Sequence, residues 1–165
     1  MLQPFVPIIM GSDSDLEHAK MIGQGLGRWK IGYEPRVASA HKHPEYILRM
    51  LEEYDNNSGL SIVYITVAGR SDALTGFVAA NTVNPVIGCP PYSDKYGGMS
   101  MLSTVYLPSR TPGMFVQDTD NAAQAAVRMF AKNSEELRAE LERFLKETKD
   151  GIETADRKVR GRTDA

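Results

Sequence analysis

The chain has a single cysteine, Cys89, in 165 residues. That excludes an internal disulfide and a multi-cysteine metal site, and it suits a reducing compartment. Long apolar runs are also missing: none approaches the roughly 20 residues that a membrane-spanning helix needs. No charge sign dominates. Nineteen Lys and Arg against 21 Asp and Glu leave a net charge of −2, which gives no basic footprint for nucleic acid. The start, Met1-Leu2-Gln3-Pro4-Phe5, lacks the basic region and cleavage site of a signal peptide. The expectation is a cytoplasmic protein with neither nucleic acid nor membrane among its partners. Neither GxGxxG nor GxxxxGK[ST] occurs, so dinucleotide and P-loop readings lose support. We find no internal repeat and no low-complexity segment.

What is present is an ordinary globular composition, 42% hydrophobic and 24% charged, enough for one domain with one sizeable core. Phe5 to Met10 is a short apolar run ending in Gly11, read as a strand in which Pro7 costs one ladder donor. Leu16, Ala19, Ile22 and Leu26 then recur at helical spacing. Tyr33 to Ala38 reads as a second strand. Behind Pro44, which suits the first turn of a helix, Ile47, Met50, Leu51 and Tyr54 repeat at i, i+3, i+4, i+7. Leu60 to Ala68, with β-branched Ile62, Val63, Ile65 and Val67, suits a strand buried on both faces of a parallel sheet. A helix to about Thr82, a strand Pro85 to Gly88, a loop Tyr92 to Gly98, a helix Ser100 to Val105, a strand Met114 to Val116 and an alanine-rich helix Asn121 to Phe130 complete the series. Strands alternating with helices imply a parallel sheet covered on both faces with right-handed crossovers. The expected fold is α/β, a three-layer αβα sandwich with a flavodoxin-like parallel sheet.

From Asn133 the composition turns to Glu, Lys, Arg and Leu. Leu137, Leu141, Phe144 and Leu145 form one apolar stripe behind Ser134-Glu135-Glu136, so an extra C-terminal helix is expected. Gly151 is a candidate break, and Lys158 to Ala165 read as frayed. The division expected is a catalytic domain over 1–132 and a helical extension over 133–165. The stripe packs either on its own domain or on a neighbouring subunit.

In open α/β sheets ligands collect beyond the carboxyl ends of the strands. Three segments there carry small residues, hydroxyls and charge: Gly11-Ser12-Asp13-Ser14-Asp15, Ser39-Ala40-His41-Lys42 and Ala68-Gly69-Arg70-Ser71-Asp72. In the first, the turn offers amides to an anion, while two aspartates would repel it and better accept hydrogen bonds from sugar hydroxyls. Helix capping by Ser12 or Asp13 is the plainer alternative. In the second, imidazole gives and takes protons near neutrality, Lys42 is a mobile positive charge suited to phosphate, and Ser39 adds a hydroxyl. His18, inside the first helix, and His43, beside Pro44, read as structural. In the third, Gly69 lets backbone approach a ligand and Arg70 can bind a phosphate or carboxylate in bidentate fashion, a surface ion pair being the alternative. Cys89 reads as a buried thiol. Pro90-Pro91 reads as a rigid wall, with a cis bond as a candidate.

These three segments, in this order, resemble the phosphoribosylaminoimidazole carboxylase family of purine biosynthesis, over roughly Phe5 to Ala131. The family pattern is an apolar strand ending in M-G-S-x-S-D, then S-A-H-[RK], then a glycine-rich third loop. Two classes exist: one rearranges N5-carboxyaminoimidazole ribonucleotide (N5-CAIR), the other carboxylates aminoimidazole ribonucleotide (AIR) directly with CO2, and both give 4-carboxyaminoimidazole ribonucleotide (CAIR). The mutase class usually has arginine after the histidine and G-N-G-G-A-A-H-L as third loop. Lys42, Ala68-Gly69-Arg70-Ser71 and Gly88-Cys89-Pro90-Pro91 make this chain look like class II, the direct, CO2-using one. Asp72 departs from the asparagine usual after G-R-S. It either alters the charge near the CO2 pocket or caps the next helix.

The resemblance implies an ATP-independent carboxylation of AIR with neither cofactor nor metal. It implies His41 as general base toward the C4 proton, Ser12 and Asp15 on the ribose and phosphate region, and Ser39 and Lys42 on the phosphate. Gly69, Arg70 and Ser71 would line the side where the carboxylate forms. It further implies a homo-octamer, a tetramer being the alternative, with the tail helix on a neighbouring subunit. N5-CAIR mutase is the nearest rival. A flavodoxin-like nucleotide- or flavin-binding module and a receiver-type signalling domain follow. The receiver needs an acidic cluster at the strand ends, where this chain has Ala68-Gly69-Arg70.

Overall fold

The computed structural model describes residues 2–163. Contacts divide them into two compact units, one up to Met129 and one from Phe130 onward.

The first unit is built on a parallel sheet. Its strands are β1 (Gln3–Met10), β2 (Gly32–Val37), β3 (Leu60–Ile62), β4 (Tyr64–Val67), β5 (Val86–Gly88) and β6 (Met114–Phe115). The order is β2-β1-β4-β5-β6, with β3 also on β1. β3 and β4 are one strand interrupted at Val63: Phe5 faces Ile62 and Ile8 faces Ile65, so both halves keep one register against β1. With that merger the order becomes the flavodoxin-like 2-1-3-4-5. All pairings are parallel, so each connection must cross over the sheet, and the helices lie on both of its faces.

Alternation along the strands sorts the core into two layers. On one face Ile9, Ile62, Tyr64 and Val86 pack with Ile47, Met50, Leu51 and Tyr54 of α2 (Pro44–Asp55) and Leu74, Val78 and Ala79 of α3 (Ala73–Asn81). The opposite face carries α1 (Leu16–Arg28) and α5 (Thr119–Phe130), which lie side by side: Arg28 pairs with Asp120, and a Cβ on Gly25 would fall 2.8 Å from that of Ala123. Ala19, Ile22 and Leu26 of α1 and Ala122, Ala126 and Val127 of α5 are fully buried. Pro7 does sit in a central strand, since β1 is paired on both sides; its buried ring offsets one missing donor.

Far from the carboxyl edge, Asp55 ties the sheet's other end. Its carboxylate accepts from Tyr64 Oη at 2.6 Å, Thr82 Oγ1 at 2.7 Å and Asn84 Nδ2 at 2.9 Å. Burial and this carboxylate raise the Tyr64 phenol well above its ordinary pKa.

The second unit contains α6 (Glu135–Thr163), 29 residues long. Ser134 caps it, Leu137 N–H donating to its Oγ at 3.2 Å. Leu137 and Leu141 are buried, Phe144 half-buried and Leu145 exposed. Two expectations are corrected here. Gly151 does not break the helix, because one glycine costs about 1 kcal/mol, against about 3 for proline. Lys158 to Thr163 are helical rather than frayed; Asp164 and Ala165 lie outside the described residues. Among the described residues no helix is long and apolar enough to cross a membrane.

Candidate active site

The carboxyl ends of the strands are brought level by their ladders. Ala38 N–H donates to Met10 O, Gly11 N–H to Val67 O and Cys89 N–H to Thr66 O, each at 2.8 Å. The three chemistry-bearing segments therefore leave from adjacent strands: Ser39–Lys42 from β2, Gly11–Asp15 from β1, Gly69–Asp72 from β4. With strands ~4.8 Å apart, the outer two segments start about 10 Å from each other. The chain reverses its direction of winding between β1 and β4, which is the switch point where such sheets leave a crevice.

The first segment folds as a single 3-10 turn, Asp13–Asp15. Ser12 caps it: its Oγ accepts from Ser14 N–H at 3.3 Å and from Ser14 Oγ at 3.0 Å, and donates to Asp13 Oδ1 at 3.2 Å. Asp15 begins α1 without a side-chain cap bond and is half-buried. Burial, then the neighbouring Asp13 carboxylate, raises its pKa. Its Oδ1 lies 3.2 Å from where a Cβ on Gly69 would stand, with Pro91 Cγ at 3.3 Å on the other side. The first and third segments thus come close, and a side chain at Gly69 would crowd both Asp15 and Pro91.

In the second segment Ser39 O accepts from Lys42 N–H at 3.3 Å and His43 N–H at 2.9 Å, which closes a turn around Ala40, His41 and Lys42. His41 and Lys42 side chains are exposed; Ser39 is half-buried. His43 pairs instead with Glu45 at 3.2 Å and stacks on Tyr46.

In the third segment Arg70 and Ser71 are exposed and line a cavity of about 420 Å³ together with Met99, Ser100 and Ser103. His41 and the Ser12–Asp15 turn are not part of that lining. Asp72 is buried and caps α3, its Oδ1 accepting from Thr75 N–H at 2.9 Å. Of the two readings left open for this residue, the helix cap is the one observed.

Sequence reasoning passed over the far wall of the cavity. A 3-10 segment, Lys95–Met101, runs into the short α4 (Leu102–Val105), which carries Ser103. Serines three apart, Ser100 and Ser103, were the available signal. His18 is structural, as its place inside the first helix suggested. Its Nε2 is 3.0 Å from Cys89 O and 3.5 Å from Cys89 Sγ, so it ties α1 to the carboxyl end of β5. Cys89 is fully buried, and burial followed by the Asp118 charge pushes its thiol up to about 12, which makes it a poor nucleophile. Pro91 stands beside Gly69, and no peptide bond among the described residues is cis. Among the described residues no group of three or more His, Cys, Asp and Glu is placed to hold a metal ion.

Comparison with known proteins supplies the family. A family model described as AIR carboxylase matches residues 5–151. The phosphoribosylaminoimidazole carboxylase of Archaeoglobus fulgidus is 44% identical over 153 residues, 93% of this chain and 83% of that protein. The N5-carboxyaminoimidazole ribonucleotide mutase of Pyrococcus horikoshii is 35% identical over 154 residues, 92% of this chain and 86% of that protein. The crystal structure of PurE from Treponema denticola superposes with a TM-score of 0.91 at 36% identity, covering 94% of this chain and 98% of that one. A family match over residues 5–151, with relatives 35% and 44% identical over more than nine-tenths of the chain, places this chain in the AIR carboxylase family.

Proposed function

We propose that the protein carboxylates AIR with CO2 to give CAIR, without ATP, as a cytoplasmic enzyme of purine biosynthesis. The observation that carries this reading is the cavity where Arg70 and Ser71 meet Ser100 and Ser103. A cation and several hydroxyls beside Met99 suit a ligand that carries a newly formed carboxylate. The ring carbon C4 of an aminoimidazole is already nucleophilic, because the amino group feeds it electron density. The enzyme must then hold CO2 against it, and holding two reactants in register can supply roughly 7–11 kcal/mol of the barrier. Once the new bond forms, the C4 proton passes to His41, the general base of the forward direction and general acid of the reverse. Lys42 and Ser39 hold the phosphate, Ser12 and Asp15 the ribose and phosphate region, and Gly69 lines, with Arg70 and Ser71, the side where the carboxylate forms. The domain division is 1–132 with a helical extension over 133–165, and the working assembly is a homo-octamer.

The second reading, N5-CAIR mutase, is favoured by the Pyrococcus horikoshii relative. Two assays without ATP separate them: AIR with bicarbonate, and freshly made N5-CAIR at low CO2, each followed by absorbance. Rapid conversion of AIR alone is expected. Conversion of N5-CAIR at low CO2 would replace the carboxylase by the mutase. In either assay His41→Asn is expected to lose about 10²–10⁴-fold in turnover while retaining nucleotide binding; full activity would remove His41 from its role.

A further inference from the structure

Behind Arg70 and Ser71 lies a buried polar network that the reaction itself does not call for. Asp72 is 3% exposed, Thr104 2%, and Thr66 and Thr75 fully buried. Asp72 Oδ2 accepts hydrogen bonds from Thr75 Oγ1 and, at 2.8 Å, from Thr104 Oγ1. Thr66 Oγ1 lies 2.7 Å from Thr75 Oγ1. The direction of these bonds follows from their end point. An ionised carboxylate only accepts, so Thr75 donates to Asp72, and Thr66 in turn donates to Thr75. From the backbone side, Asp72 N–H donates to Ser103 Oγ at 2.8 Å, and Ser103 Oγ donates to Ser100 O at 2.7 Å.

One residue therefore joins the two walls of the cavity. Asp72 follows directly on Arg70 and Ser71. Its carboxylate holds α4 through Thr104, and its amide holds α4 again through Ser103, a lining residue. We infer that Asp72 is a positioning residue: through Thr104 and Ser103 it sets the separation of the Arg70–Ser71 wall from the Ser100–Ser103 wall, and so tunes recognition of the substrate's carboxylate. The inference rests on the proposed role of Arg70 and Ser71, but it does not depend on which class of reaction is run, because both classes share CAIR as product.

A cap alone would need only Oδ1. The second oxygen, with its two hydroxyl donors, is the part that spans to α4. Thr104→Val deletes that span and leaves the cap, the shape and the cavity residues in place. Losing one buried hydrogen bond across the cavity predicts about fivefold to tenfold weaker CAIR binding, with AIR binding changed less than about twofold. Thr104→Ser restores the hydroxyl and should restore the ratio. Asp72→Asn should act in the same direction as Thr104→Val: its amide nitrogen can donate to Thr75 while Thr75 donates to Thr66 and Thr66 to Ile87 O, 3.4 Å away, but it cannot accept, so the buried Thr104 hydroxyl proton loses its acceptor.

The experiment is calorimetric titration of wild type, Thr104→Val, Thr104→Ser and Asp72→Asn with AIR and with CAIR, alongside melting curves. A CAIR-selective loss in Thr104→Val, rescued in Thr104→Ser, supports positioning. A lower melting temperature with both affinities unchanged, or weakened equally, overturns it and leaves Asp72 a structural cap. If wild type converts only N5-CAIR, the carboxylase reading falls while this test still reads. If it binds neither nucleotide, both fall.

Discussion

At the scale of single residues, burial decides what each titratable group can do. His18 is the clearest case. Its ring is partly buried against the end of β5, and burial lowers its pKa, opposed by the hydrogen bond to the Cys89 carbonyl. That bond requires a proton on Nε2, so the neutral Nε2–H form satisfies the site. A depressed folded pKa means that stability is complete above the unfolded value of about 6.5. As the pH falls below it, the unfolded chain takes up a proton that the native ring resists. Stability is lost down to the lower folded value, at no more than about 1.4 kcal/mol per pH unit, and by less because the ring is partly exposed. His18→Gln, which keeps a donor of similar reach, is expected to flatten the fall in melting temperature as the pH drops below about 6.5. An unchanged slope would assign the acid sensitivity elsewhere. Asp15 works in the other direction. Its raised pKa makes its ionised form a cost to folding that grows as the pH rises through the folded value.

At the scale of elements, the end of β5 is a tight joint. A Cβ on Gly88 would stand 2.5 Å from Thr104 Cγ2 and 2.7 Å from Thr75 Oγ1. Those are the two hydroxyl residues that meet at Asp72. Gly88→Ala is therefore expected to cost about 1–3 kcal/mol by overpacking, read as a drop of several degrees in melting temperature, and to disturb the α3–α4 contact more than the sheet. A variant as stable as wild type would show that α4 yields freely. The strands and long helices around this joint were legible in the sequence because their signals are periodic. The β-branched run over Leu60–Val67 and the apolar spacing of α2 each report a face that must be buried. The joint itself was not legible. It depends on Thr66, Thr75 and Thr104 converging from three separate elements, and no local pattern announces that threonines distant in sequence will share one carboxylate. The same holds for Ser103, whose partner is the Asp72 amide. The site was half visible: the three loops could be named from their residue types, whereas the serine wall facing Arg70 comes from a short, weakly patterned segment. In the tail, the candidate break at Gly151 is overridden because one glycine costs a helix too little to end it.

At the scale of the whole molecule, exposed apolar surface remains in both compact units. In the first, Tyr92 is 68% exposed, Met99 63% and Tyr106 78%, all within the stretch that carries the serine wall. In the second, Leu145 and Ile152 are 37% and 67% exposed and stand seven residues apart on α6. A seven-residue interval returns almost to the same helix face, so these side chains form a narrow stripe suited to a second helix. Apolar groups gathered like this mark association surfaces more often than idle ones. The expected outcome is that the protein sediments as an assembly of several copies, and that the double variant Leu145→Glu with Ile152→Glu sediments as a smaller particle. Both substitutions are at exposed positions of a charged helix, and glutamate is a good helix former, so helical content by circular dichroism should stay the same. The two measurements together are decisive. A smaller particle with intact helix content makes α6 an assembly element, and activity measured on that particle then tells whether the loops at the sheet edge work alone. An unchanged particle would move the burden of assembly to the Tyr92–Tyr106 stretch, directly beside the cavity, and the serine wall would then be shaped in part by a neighbouring subunit.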